Sequence, residues 1–119
     1  MNHVIFAKRS AGGSYQVEFL KDANWVRVRC NCSAGSIGQI CRHKRALIAG
    51  NPRMLHDPSQ GKLLDEILSW TQMKLLAERA AKYEEELEAI DRKKNEIENE
   101  EQLIRRRYAS DCLDGIHGT

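Results

Sequence analysis

The chain has 119 residues, 41% apolar and 30% charged, with only two Trp, three Tyr and two Phe. A chain this short and polar cannot build a large core, which predicts a small domain held by a staple, plus an extension. The formal net charge of +2 hides a division: residues 1–62 carry ten Lys/Arg and three Asp/Glu, a formal +7, whereas residues 63–119 carry nine and fourteen, a formal −5.

The first elements read as strands. Val4-Ile5-Phe6 is a short apolar run, followed by the break at Gly12-Gly13. Tyr15, Val17 and Phe19 alternate with Gln16 and Glu18, the period-two pattern of a half-buried strand. After a turn at residues 21–24, Trp25, Val26 and Val28 interleave with Arg27 and Arg29 and run into Cys30, so the simplest geometry is an antiparallel hairpin. Ser33-Ala34-Gly35-Ser36-Ile37-Gly38 reads as a loop of small residues, and residues 41–49 as a short helix stopped by Gly50-Asn51-Pro52. Asp57-Pro58-Ser59-Gln60 has the form of a capping box, with Gln60 at N3. Residues 62–108 contain neither Gly nor Pro, which predicts one continuous helix of roughly 70 Å. The fold class expected is therefore α+β: a small ββα head over 1–57, a helical dimerisation stalk over 58–108 and a flexible tail over 109–119.

The chemistry concentrates in four residues: Cys30 and Cys32 as Cys-x-Cys, then Cys41 and His43 as Cys-x-His. Three thiolates and one imidazole complete a tetrahedral Zn²⁺ shell, giving one zinc per chain as the expected cofactor. A filled shell leaves no open position for water, so the same residues argue against a metalloenzyme. No nucleophile–base set, Gly-rich phosphate loop or paired-carboxylate site stands out elsewhere, and no catalytic residue is expected. Two disulfides are the competing use of four cysteines, but three cluster within twelve residues beside a His and Cys112 stands alone. No apolar run nears the roughly 20 residues of a membrane span, and the start does not read as a signal peptide. A cytoplasmic or nuclear setting follows, where thiols stay reduced. His3, His56 and His117 have no such company and read as surface residues.

This spacing resembles the SWIM-type zinc finger, whose pattern is Cys-x-Cys, a variable gap, then Cys-x-His. The resemblance covers about residues 14–50, taking in Tyr15 and Val17, Val26 and Val28 leading to Cys30-Asn31-Cys32, and Cys41-Arg42-His43 continuing into Ala46-Leu47-Ile48. Ser33, Ala34 and Gly35 stand where that family often has Pro, Asp and an aromatic residue. The resemblance implies a ββα zinc module used to bind DNA or proteins.

Around the ligands, Arg27 and Arg29 share a strand face, and Arg42, Lys44 and Arg45 surround His43. These five are the candidate nucleic-acid contacts, since basic groups beside a rigid finger suit phosphates. In the second half, a heptad places Leu76, Tyr83, Ile90, Ile97 and Ile104 at d, and Ala80, Leu87, Lys94, Glu101 and Tyr108 at a. Leu76, Tyr83, Leu87, Ile90, Ile97 and Ile104 are the candidate dimer contacts. A parallel pair gains three attractive rim contacts against one repulsive, but it stacks Lys94 on Lys94 and Glu101 on Glu101; an antiparallel pair could bring Lys94 near Glu101. Leu63, Leu64, Ile67, Leu68 and Trp70 fall outside this phase and are expected to pack against the head. Two functions fit: a dimeric DNA-binding accessory or regulatory factor using the basic head, or a protein-interaction adaptor or inhibitor docking through its zinc head or acidic stalk.

Overall fold

The computed structural model describes residues 1–116, so His117 and the end of the predicted tail lie outside the described residues. Three strands, β1 (Asn2–Lys8), β2 (Ser14–Lys21) and β3 (Val26–Cys30), form an antiparallel meander in the order β1-β2-β3. Among the described residues four helices follow: α1 (Ser33–Ser36), α2 (Arg42–Ile48), α3 (Gly61–Leu68) and α4 (Thr71–Asp114), with short 3₁₀ turns at Pro52–Met54 and Pro58–Gln60. The layout is α+β, as the composition and periodicity imply. The expected two-stranded hairpin gains a third strand, because the short run at Val4-Ile5-Phe6 pairs along its whole length with β2. No helix among the described residues is long and apolar enough to cross a membrane.

The chain forms two compact units, the first covering Met1–Lys82 and the second starting at Tyr83. The first extends past residue 57 because α3 and the opening turns of α4 complete its core. Register puts Ile5, Ala7, Val17, Phe19 and Cys30 on one sheet face, and all five are buried. Leu47, Leu64, Ile67, Trp70 and Met73 cover that face. The opposite face carries Val4, Phe6, Leu20, Arg27 and Arg29 and no buried residue. His3 is not the free surface histidine expected: its ring lies 5.5 Å from that of Trp70, and its Nε2 is buried without a hydrogen-bond partner. His56 is exposed.

The single helix expected over 62–108 is broken at Ser69 and Trp70. Leu64, Ile67, Trp70 and Met73 are all buried, yet they recur every three residues. On an α-helix each such step falls about 60° short of a full turn, so a straight helix would carry Met73 to the side opposite Leu64. The break resets the phase, and Ser69 Oγ consolidates it by donating to the Glu66 carbonyl. Downstream, the helix runs beyond Tyr108 to Asp114, where Gly115 at φ +75° supplies the left-handed residue that ends it. Residues 109–114 of the expected flexible tail are thus helical.

The capping box also resolves differently. Asp57 Oδ1 does cap the following turn, accepting from Ser59 N at 3.0 Å, but Gln60 turns away to β1. Its Oε1 accepts from Phe6 N at 2.8 Å and its Nε2 donates to Val4 O at 3.0 Å. Together with His56 N donating to Phe6 O, this amide closes the outer edge of the sheet as a fourth strand would. Gln60→Ala is expected to cost about 1–2 kcal/mol, since it unpairs two backbone groups at once. A denaturant midpoint equal to wild type would show that water serves the edge equally well.

Candidate metal centre

The elements deliver the four predicted ligands to one place. Cys30 ends β3, and Asn31 is pinned to β2 by two bonds, its N–H donating to Gln16 O and its Oδ1 accepting from Gln16 N. Cys32 is the N-cap of α1, its Sγ accepting from Gly35 N at 3.3 Å. Cys41 is the N-cap of α2, its Sγ accepting from Lys44 N at 3.4 Å. His43 lies in the first turn of α2 and is 5% exposed. The segment expected to be a small-residue loop therefore contains a helical turn whose cap is itself one of the four candidate ligands.

The ligand atoms of Cys30, Cys32, Cys41 and His43 all lie within 4.8 Å of one another, close enough to hold a metal ion. Cys30 Sγ is 3.8 Å from His43 Nδ1. A tetrahedron with metal–sulfur bonds of about 2.3 Å has sulfur–sulfur edges of about 3.8 Å, so an ion fits with little movement. The electrostatics agree with that donor set. Burial is the main influence pushing the Cys30 thiol up, to about 12. Burial also pushes Cys32 upward, but the Gly35 N–H and the neighbouring thiols outweigh it and hold Cys32 below its ordinary value. The cluster without metal thus mixes a retained proton with a favoured thiolate. Burial, then the Arg42 guanidinium, holds His43 low and leaves a neutral imidazole with a lone pair to give, while the Lys8 backbone pulls the other way. His43 Nε2 is buried with no hydrogen-bond partner.

The five candidate nucleic-acid contacts do not form one patch. Arg27 and Arg29 lie on the open sheet face, with the Arg27 guanidinium 4.7 Å from the Trp25 ring centre. Arg42 and Arg45 are exposed on α2, and Lys44 is half-buried beside Cys41. Sequence reasoning left Arg9 out of the site. The turn after β1 brings the Arg9 guanidinium 5.1 Å from the Tyr15 ring centre, and Tyr15 packs 4.9 Å from the His43 ring. Arg42 is anchored from the same turn, donating to Ser10 Oγ at 2.7 Å. Arg9, Tyr15 and Arg42 line an open groove with Cys32, Cys41 and His43, and no carboxylate lines it. The signal available was the five-residue span between the paired Lys8 and Ser14, which confines Arg9 near Tyr15.

Of the candidate dimer contacts, Leu76 is placed elsewhere. It packs with Ala77 and Ala80 against the core of its own chain, continuing the face begun by Met73. Tyr83, Leu87, Ile90, Ile97 and Ile104 are exposed on α4. Cys112 is exposed and far in sequence from the cluster. No family model, no curated protein and no solved structure matches this chain.

Proposed function

We propose that this chain is a non-enzymatic binding protein whose head is stapled by one Zn²⁺ and engages nucleic acid, with self-association through its helix. Three thiols and one neutral imidazole are a zinc donor set, and the ligand order follows the SWIM-type pattern. Bound zinc supplies a fixed cross-link between β3, α1 and α2. The observation that carries the nucleic-acid reading is the groove beside the cluster. Two guanidiniums, each held by its own contact, face one carboxylate-free surface, an arrangement suited to backbone phosphates. Arg27 and Arg29 form a second basic surface on the open sheet face.

Binding to a labelled duplex is expected at low salt and to fall steeply as salt rises. Replacing Arg9 and Arg42 by Gln should lower the slope of log affinity against log salt by about two and leave zinc content unchanged. Failure of duplex, single-stranded DNA and RNA alike to bind at low salt would sink this reading. The second reading, a protein adaptor, is favoured by Ile37 and Ile40, which are 71% and 62% exposed between the two ligand pairs. Loss of partner capture on Ile37→Ser/Ile40→Ser, with nucleic-acid binding absent, would select it.

A further inference from the structure

The unit starting at Tyr83 leaves an apolar stripe uncovered. Tyr83, Leu87, Ile90, Ile97, Ile104 and Tyr108 recur in heptad phase and are 42–73% exposed. The stripe begins at Tyr83 because Leu76, Ala77 and Ala80 are already spent on the core of the first unit. Lys94 and Glu101 interrupt it at a positions. We infer that this stripe pairs with a second copy of the chain in antiparallel orientation, in the register that sets Tyr83 against the partner's Tyr108. This rests on the self-association part of the function proposed above and fixes its geometry.

Charge complementarity decides between the orientations. A parallel pair buries Lys94 against the partner's Lys94 and Glu101 against the partner's Glu101, two like-charge layers. The antiparallel register packs Leu87 on the partner's Ile104, Lys94 beside the partner's Ile97 and Ile90 beside the partner's Glu101. The two Lys94 then lie in neighbouring layers about 4.5 Å apart along the axis rather than in one layer, each with the partner's Glu101 about 6 Å to its other side, and the two Glu101 are about 16 Å apart, so no layer stacks like charges. Glu101 enters already paired with Arg105 of its own chain at 2.6 Å.

The rims add to this. Glu86 faces the partner's Arg107 and Lys93 faces the partner's Glu100, each contact occurring twice by symmetry. Asp91 against the partner's Glu98 opposes them. Glu84 comes opposite the partner's Arg105, and both of these have interactions within their own chains. Over the same span the parallel rim offers Lys93–Glu98 and Glu100–Arg105 against the repulsion of Glu86–Asp91. It is no better, and its core is worse. Antiparallel pairing also separates the two Tyr83 positions by about 38 Å.

Cysteine cross-linking separates the geometries. The parent is the zinc-loaded chain carrying Cys112→Ser, which sets the background. Tyr83→Cys and Tyr108→Cys are made singly in it and oxidised mildly, alone and mixed. A disulfide-linked dimer several-fold above background in the mixture, with each variant alone at background, is the expected result. Efficient cross-linking of Tyr83→Cys with itself shows a parallel pair; it overturns this inference and leaves self-association standing. A monomer in sedimentation of the parent at the cross-linking concentration overturns both.

Discussion

Stripping zinc from the loaded protein with a chelator is expected to unfold the ligand-bearing segment and to remove most of the cooperative stability of the first unit. Residues 30–49 contain two short helices, α1 of four residues and α2 of seven. Neither approaches the length at which a helix holds in water by itself. Their anchors are the three buried cysteines, His43, Leu47 and Ile48. Without metal, the cluster buries three sulfurs and an imidazole that no longer share a cation. Structural zinc in comparable small domains contributes on the order of 10 kcal/mol, similar to the whole stability of a domain this size. Amide protection should therefore vanish across residues 30–49 and the denaturant midpoint should fall by more than half, with Cys41→Ser behaving alike. The helical signal of residues beyond Tyr83 should persist, because those residues belong to the second compact unit. A transition unchanged by chelator would remove the staple from the account.

The same centre sets a pH dependence. Cys30, pushed up to about 12 chiefly by burial, holds its proton at neutral pH in the metal-free head and must release it to bind. The bound thiolate's pKa lies far below the free value, so metal-derived stability is present at higher pH and lost as pH falls. With at least one proton released per ion, apparent zinc affinity should drop at least tenfold per unit between about pH 8 and 6. Burial and then the Arg42 guanidinium lower the His43 imidazole from its ordinary value, which favours its neutral, metal-binding form. Proton release measured by calorimetry in two buffers checks the count; a pH-independent affinity would mean that Cys30 is not a ligand.

What the sequence made legible was what it encodes locally. Cys-x-Cys and Cys-x-His are short-range patterns, and the structure brings all four side chains together. The alternation of Tyr15, Val17 and Phe19 marked a strand for the same reason. Val4-Ile5-Phe6 was legible as a strand, but not how its outer edge is closed, because that role falls to the amide of Gln60, 54 residues from Phe6. The break at Ser69 and Trp70 was hidden because no Gly or Pro marks it; only the three-residue spacing of buried positions requires it. Arg9 was hidden because its place depends on a turn bringing it over Tyr15, while Gly115 was a visible stop signal seven residues past the expected helix end.

Gly35→Ala is expected to be the most damaging glycine-to-alanine change among the described residues, costing about 2–4 kcal/mol and loosening the metal. An added Cβ would lie 2.3 Å from the Cys30 carbonyl oxygen, 2.8 Å from Cys30 Cβ and 2.9 Å from Cys30 C. Two of these three are backbone atoms at the end of β3, so no side-chain rotation relieves the clash; either α1 or the strand end must move. Moving α1 carries with it Cys32, its N-cap, whose Sγ is held by the Gly35 N–H that favours the thiolate there. Moving the strand end shifts Cys30 itself. Both routes displace a ligand, so the variant should lose zinc affinity as well as stability. Gly12→Ala is the comparison. At φ +89° it strains the backbone, yet nothing lies within 4 Å of the new Cβ, so about 1 kcal/mol and unchanged zinc affinity are expected. Competition titrations with a chromophoric chelator measure the two side by side. Equal zinc affinity in both variants would mean that α1 does not hold Cys32 in place, and that the small residues after the first ligand pair are mere connection.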